Sequence, residues 1–322
     1  MTGDTAAVVP EAGATAVTPE PRADFPPAPL APPYEKSAHE GDGQWRALGD
    51  RARGEPAALE PAAAYATVIH PHPVSRFLAL HLAAVDLTAF DVHLMPGTDD
   101  VPDTRRAQGL DPKARRAIGL VDVTHRDRAA VVFNGGFQLN HGRWGFALGD
   151  WVLMPPRAEG CTVASLDDGS LLIGSWEKLQ GERARMRFFR QTPPCLVEDG
   201  VLHPDLVARR ERRWGGYDPK RKTRRRSALG IDRTGTILFY GVGIELEPSQ
   251  LAEAMRLVGA RSAAELDINF NWTRFLLVGK KNDPPEPRIT SSLLEDMNYG
   301  TREYLERPSA RDFFYLVVKP RR

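Results

Sequence analysis

The chain has 322 residues, with 42% hydrophobic residues, 26% charged residues and a formal net charge of +1. This length gives room for one large domain or two small ones around a substantial core, and the small net charge by itself identifies no partner. No uninterrupted apolar run approaches the length of a membrane-spanning helix. The 28 glycines and 27 prolines favour a chain with many turns over a helical bundle.

The first 60 residues are predicted to form a disordered arm, because the stretch 19–33 is too rich in proline for a helix or a sheet. Trp45 and Leu48 suggest a short helical turn that docks on the domain. Residues 1–33 lack the basic start and the apolar run of a secretory signal. We therefore expect either a cytosolic protein or a signal that lies upstream.

The rest of the chain, residues 61–322, reads as one domain with many strands and few helices. Alternating apolar residues, β-branched residues and turn signals predict strands at 65–70, 77–87, 90–94, 129–133, 151–154, 161–166, 170–176, 228–231, 236–240, 265–278 and 313–318. Two helices are predicted, at 111–118 and at 248–258. The fold class is therefore α+β, with β-rich mixed sheets and a few packed helices in a single domain.

A first candidate site follows the apolar strand at 129–133. Asn134, Gly135 and Gly136 end this strand, and glycines leave backbone N–H groups open to a ligand. The Asn134 amide can donate or accept hydrogen bonds. The alternative interpretation is a plain hairpin or a bulge.

A second candidate site is the strand that contains Asp267. Its alternation places Asp267, Asn269, Asn271 and Thr273 on one face, which suits the floor of a polar cleft. Asp267 has the chemistry of an acid, a base or a nucleophile. The alternative is a sheet face open to water.

The third feature is basic. Arg226 enters a strand, where a planar guanidinium can hold a phosphate. It ends the run 209–226, which contains eight arginines and two lysines and two acidic residues, Glu211 and Asp218. This run predicts contact with a polyanion, nucleic acid included, or else a solvated loop.

Cys161 and Cys195 are the two cysteines, and neither has a second cysteine at metal-ligand spacing. We therefore expect two buried free thiols, although an exported protein would favour a disulfide. The histidines also lack the spacing of a metal site. No cofactor is expected, with the need for a divalent ion left open.

Taken in order, these segments resemble the phosphodiester glycosidase family over about residues 65–319. The motifs that carry the resemblance are Asn134-Gly-Gly-Phe137, the segment Pro194–Gly200, the strand Arg226–Ile231, the helix Pro248–Val258 and the dipeptide Leu266-Asp267. The family's Gly-Gly-Gly-Ser loop after the aspartate is replaced by residues 268–271, Ile-Asn-Phe-Asn. This difference indicates either another substrate or a domain that binds without turnover.

The resemblance implies hydrolysis of a glycosyl–phosphodiester bond in a sugar-phosphate polymer or envelope glycan such as an exopolysaccharide. Asp267 would be the catalytic carboxylate, Arg226 would hold the phosphate and Asn134 would orient the substrate. The predicted substrate-binding residues are Gly135, Gly136, Asn269, Asn271 and His141. The resemblance also implies a secreted or cell-envelope location. The alternative is a polysaccharide- or polyanion-binding module derived from the same fold.

Overall fold

The computed structural model describes residues 23–48, 63–100, 118–215, 223–282 and 284–320. Most of the regular structure in these ranges is extended. The strands are β1 (Arg46–Ala47), β2 (Ala64–Ile69), β3 (Leu80–Asp86), β4 (Phe90–Met95), β5 (Ala129–Asn134), β6 (Phe146–Leu148), β7 (Trp151–Met154), β8 (Cys161–Leu166), β9 (Leu171–Ser175), β10 (Met186–Thr192), β11 (Val197–Glu198), β12 (Val201–Leu202), β13 (Arg224–Ile231), β14 (Ile237–Leu246), β15 (Ser262–Ile268), β16 (Phe275–Lys281), β17 (Glu286–Ser292) and β18 (Phe313–Val318).

Across the described ranges, these strands form three sheets. Sheet A has the order β1-β2-β3-β14-β13-β15-β11-β12, sheet B the order β17-β16-β5-β18-β4 and sheet C the order β7-β6-β10-β8-β9. Neighbouring strands in each sheet run antiparallel. The predicted class, a β-rich α+β fold, is confirmed.

In the described ranges, helices are few and short. They are α1 (Trp176–Leu179), α2 (Pro204–Val207), α3 (Pro248–Leu257) and the 3₁₀ helices Arg126–Arg128, Gln180–Arg185 and Glu211–Arg213. Helix α3 begins with a capping box between Glu247 and Gln250 and with Pro248 at its first position. In the part of the chain that is described, no helix has the length and apolarity needed to cross a membrane.

Two apolar layers surround sheet A. On one side it packs on sheet B, where the ring of Phe133 lies 5.4 Å from Phe314 and 5.7 Å from Tyr240, centroid to centroid. On the other side lies α3, whose Met255 fits above Gly230, where a methyl group would come within 2.8 Å of the Met255 Cε atom. Sheet A is therefore buried on both faces, and polar groups inside it need partners from the protein.

Residues 23–48 lie against the domain, which differs from the disordered arm predicted for residues 1–60. The side chains of Phe25, Leu30 and Trp45 are partly buried against the apolar layer under α3. The Trp45 side chain donates its N–H to the Ala28 carbonyl oxygen at 3.1 Å. Near Trp45 the chain forms strand β1, paired with β2, in place of the helical turn.

Further element predictions differ from the structure. The strand predicted at 265–278 is two strands, β15 and β16, separated by a turn at 269–274. Strands β10 and β17 were not predicted. The helix predicted at 111–118 lies, apart from Ile118, outside the described residues, as do residues 1–22, 49–62 and 216–222 of the arm and the basic run.

The expectation of two free thiols is wrong. Cys161, at the start of β8, is disulfide-bonded to Cys195, which follows β10. Antiparallel pairing of β8 with β10 sets Cys161 opposite Thr192, so the chain returns within bonding range just after β10 ends. Both cysteines lie in the buried core, where the bond ties sheet C to the loop that leads into sheet A.

Replacing both cysteines by serine is expected to lower the free energy of unfolding by about 3–4 kcal/mol, because the bond closes a long loop in the unfolded chain. Urea unfolding of the double variant against the oxidised parent measures the difference. Alkylation of the unreduced, denatured parent should add no label. Two labels on that sample would contradict the disulfide.

Candidate active site

The double glycine after β5 packs directly on a buried carboxylate. The Gly136 N–H donates to Oδ2 of Asp312 at 2.9 Å, and the Gly135 N–H donates to the Asp312 carbonyl oxygen at 2.9 Å. A Cβ atom on Gly135 would lie only 2.1 Å from that Oδ2. The two N–H groups expected to be open to a ligand are therefore occupied by Asp312, and side chains are excluded at Gly135 because this carboxylate needs the space.

Arg190 of β10 holds the same carboxylate from the other side. Its Nε donates to Asp312 Oδ2 at 2.9 Å, while its Nη atoms donate to the carbonyl oxygens of Gln191 and Phe137. The Arg190 side chain is 0% exposed and that of Asp312 is 1% exposed. A Cβ atom on Gly136 would lie 2.9 Å from the guanidinium carbon of Arg190. Both glycines thus allow a buried ion pair to pack against the backbone.

Asp267, at the end of β15, is fixed by the same backbone segment. Its N–H donates to the Gly135 carbonyl oxygen at 2.9 Å, and its carboxylate Oδ1 accepts the Ile268 N–H at 2.8 Å. Burial, together with the charge of Asp312, raises the pKa of Asp267 to about 7, against the lowering effects of the Ile268 N–H, Arg311 and Arg190. A carboxyl group with such a pKa exchanges protons near neutral pH, as acid–base catalysis requires.

Asp267 opens into a cavity of about 360 Å³. The walls are mostly apolar or aromatic, with a few polar groups at the rim, as is usual for small-molecule sites. The described residues that line it are Phe137, His141, Gly142, Trp144, Pro193, Arg213, Gly215, Asp267, Ile268 and Asn269. Three of the candidate residues predicted from the sequence, Asp267, Asn269 and His141, are thus brought together.

The turn after Asp267 takes the place of the family's glycine loop. Asn269 has φ of +82°, a conformation that glycine adopts freely and that asparagine tolerates better than most residues. Its carbonyl oxygen accepts the N–H groups of Trp272 and Thr273. Phe270 is half exposed and stacks under Arg225 at 4.7 Å, away from the cavity lining. The bulky residue at 270 therefore leaves the cavity open, whereas Ile268 forms part of its wall.

Asn134 lies behind the cavity, within the protein. Its amide group donates to Ser227 Oγ at 3.0 Å, and its oxygen accepts the Tyr240 hydroxyl at 2.8 Å and the Arg274 N–H at 3.0 Å. These contacts join sheets A and B. The role of orienting a substrate stays a prediction, and in this structure both ends of the amide already have protein partners.

Arg226 is placed similarly. Its guanidinium is 1% exposed and donates to Glu265 Oε1 at 2.6 Å, to the Leu246 carbonyl oxygen at 2.9 Å and to the Gly215 carbonyl oxygen at 2.9 Å. It lies across the Gly215 segment from the Asp267 cavity and is not among its lining residues. Its assignment to phosphate stays a prediction, and the arginine that lines the cavity is Arg213.

Other predicted binding residues lie outside this cavity. Gly135 and Gly136 face the Arg190–Asp312 pair, and Asn271 is exposed but absent from the lining. The sequence reasoning missed Asp312 and Arg190. The available signal was a charge inside or beside an apolar strand, since Arg190 follows two phenylalanines and Asp312 precedes two more.

Within the described ranges, no group of three or more His, Cys, Asp or Glu side chains is placed to hold a metal ion. Burial, together with the charge of Asp312, raises the pKa of both Asp100 and Asp267 to about 7. Arg190 and Arg311 offset their charge. The expectation of no cofactor stays a prediction.

Part of the chain that contains this site matches a known protein family. Residues 127–267 match the family model described as phosphodiester glycosidase. The match begins just before β5 and ends at Asp267, so it spans the double glycine, Arg190 and the catalytic candidate. The resemblance to the phosphodiester glycosidase family is confirmed over this span.

Similarity to solved structures is broader and weaker. The catalytic domain of zebrafish N-acetylglucosamine-1-phosphodiester alpha-N-acetylglucosaminidase, auto-inhibited by its pro-peptide, is 15% identical, with coverage of 86% of this chain and 88% of that chain and a TM-score of 0.48. A hypothetical protein from Synechocystis is 11% identical, with coverage of 80% and 62% and a TM-score of 0.43. No residue role is transferred from either structure. No curated protein matches.

The contact between Gly135 and Asp312 can be tested by adding one methyl group. Gly135→Ala is expected to lower the free energy of unfolding by about 1–3 kcal/mol, because the carboxylate must move away from Arg190. Gly181→Ala is the matched control, since a Cβ atom there meets no heavy atom within 4 Å. Equal urea midpoints for the two variants would contradict the packing described.

Proposed function

We propose that this protein is a hydrolase that cleaves a glycosyl–phosphodiester bond in a sugar-phosphate polymer or envelope glycan, with Asp267 as its catalytic carboxylate. The observation that carries the proposal is the buried Asp267 carboxyl at the floor of an open cavity. The match of residues 127–267 to phosphodiester glycosidases supports the same class of reaction.

The proposed reaction needs a general base, whereas it has little need of a general acid. In the proposed step, water attacks the anomeric carbon, the C1–O bond to the phosphodiester breaks, and a phosphate monoester leaves as an anion. Since that leaving group is a weak base, it needs little protonation. Asp267 in its carboxylate form would accept the proton that the attacking water loses.

Among the described residues that line the cavity, Arg213 is the arginine that can meet the anionic leaving group. Its side chain is 43% exposed and is paired at 3.6 Å with Asp205. A guanidinium that remains partly in water can turn towards a phosphate at low cost, in contrast to the enclosed Arg226. We therefore assign the phosphate contact to Arg213. Phe137 and Trp144, both buried, supply the apolar wall for the sugar.

We also propose export to the cell envelope or the medium. The Cys161–Cys195 disulfide supports this location, because such bonds persist in oxidising compartments and are rare in the cytosol.

A binding module remains the second candidate, and one observation favours it. Among the described residues that line the cavity, Asp267 is the one carboxylate, whereas most glycosidases place two about the scissile bond. Such a module would bind an anionic glycan at the cavity, with Arg209 and Arg210 of the basic run, both largely exposed, adding salt-sensitive contacts.

Asp267→Asn is expected to lower sugar release from glycosyl-1-phosphodiesters by about 100-fold or more, because the base is lost while the hydrogen bond to Ile268 can persist. Asp150→Asn, which removes an exposed carboxylate outside the cavity lining, is the control and should release sugar normally. Release by a panel of donors is measured as free reducing sugar. Salt-sensitive polymer binding by a folded protein that releases no sugar would favour the binding module.

The pH dependence gives the protonation state that Asp267 needs. With a pKa of about 7, its carboxylate form gains population as pH rises through that value, so kcat/KM should rise with a midpoint near pH 7 and then level off. Initial rates between pH 5 and about 9 measure the profile. A rate that falls through the same window would instead assign Asp267 as a proton donor.

A further inference from the structure

Asp312 and Asp267 both contact the Gly135–Gly136 segment, although Asp312 directly precedes a strand of sheet B and Asp267 lies in sheet A. Asp312 accepts the Gly135 and Gly136 N–H groups, and Asp267 donates its own N–H to the Gly135 carbonyl oxygen. The Gly135 peptide thus transmits the position of Asp312 to the backbone of Asp267. Movement of Asp312 would shift the residue whose carboxyl faces the cavity.

Charge links the same two residues. The charged groups that act on the Asp267 carboxyl are Asp312 with a negative charge and Arg190 and Arg311 with positive charges. His141 and Arg213 also line the cavity that it faces. Because the Asp312 and Arg190 side chains are fully enclosed, solvent screens their effects weakly.

We propose that Asp312, clamped by Arg190 and the Gly136 N–H, is a positioning residue that holds the Asp267 backbone in place through the Gly135 carbonyl oxygen and places a negative charge near the Asp267 carboxyl. Its part in turnover rests on the proposed function. Its action on Asp267 does not, and can be measured without a substrate. The local sequence around Asp267 does not predict its dependence on Asp312, since the two residues lie 45 positions apart.

The test is a carboxyl titration by NMR. The protein is labelled with ¹³C at the aspartate side-chain carbonyl, and the Asp267 resonance is assigned by its loss in Asp267→Asn. In the parent protein its midpoint should lie near pH 7. In Asp312→Asn it should move down by about one pH unit, because a like charge is removed and Arg190 is left unneutralised. Asp150→Asn, which removes an exposed carboxylate outside the cavity lining, is the control and should leave the midpoint unchanged.

A folded Asp312→Asn protein with an unchanged Asp267 midpoint would overturn the proposal. If that variant does not fold, Gly135→Ala takes its place, because a Cβ atom there would lie 2.1 Å from Asp312 Oδ2 and must displace this carboxylate. The Asp267 midpoint should then shift in Gly135→Ala and stay in place in Gly181→Ala, where a Cβ atom meets no heavy atom within 4 Å. An unchanged midpoint in folded Gly135→Ala would overturn the proposal, whatever the sugar-release assays show.

Discussion

The ion pair between Arg190 and Asp312 is the buried polar contact at which the three sheets meet. Arg190 belongs to sheet C, Asp312 leads into sheet B, and through Gly135 the pair reaches Asp267 of sheet A. Both side chains are enclosed, so removal of one partner leaves a buried charge that costs about 3–5 kcal/mol. Any placement of the sheets that separated the pair would leave a buried charge without its partner.

The cavity and its carboxyl group follow from the observed placement of the sheets. Because the sheets close around the double glycine, Asp267 emerges at their junction, with protein on every side except the cavity. Burial is the largest contribution to its raised pKa, and the nearby Asp312 adds to it. The double glycine thus has two roles. It leaves space for the Arg190–Asp312 ion pair, and its Gly135 carbonyl oxygen accepts the N–H of Asp267.

The sequence predicted much of the fold and, within the site, the residue Asp267. Apolar runs such as 161–166 and 313–318 became strands at those bounds, because burial on a sheet face leaves a strong pattern. The break after Ile268 was missed, since the alternation of residues 265–273 continues through a turn that only the backbone of Asn269 reveals. Residues 23–48 were predicted to be disordered from their proline content, and the packing of Phe25, Leu30 and Trp45 on the domain was missed.

Asp267 was identified from its motif, but its partners were not. Arg190 and Asp312 are distant from it in sequence, and pairing between sheets is set by packing that no local pattern records. For Arg226, the motif gave the residue and the structure gave its contacts, which are with Glu265 and two backbone carbonyl oxygens. The arginine on the cavity, Arg213, comes from the basic run that local reasoning treated as a separate surface.

A crystal structure with a glycosyl phosphonate, an analogue whose carbon–phosphorus bond is not hydrolysed, would locate the substrate directly. We expect the sugar in the cavity within hydrogen-bonding distance of Asp267, the anion at Arg213, and the Gly136 N–H still bonded to Asp312. An anion held by the Gly135 and Gly136 N–H groups, with Asp312 displaced, would contradict this expectation. That result would show that the double glycine is itself the ligand site.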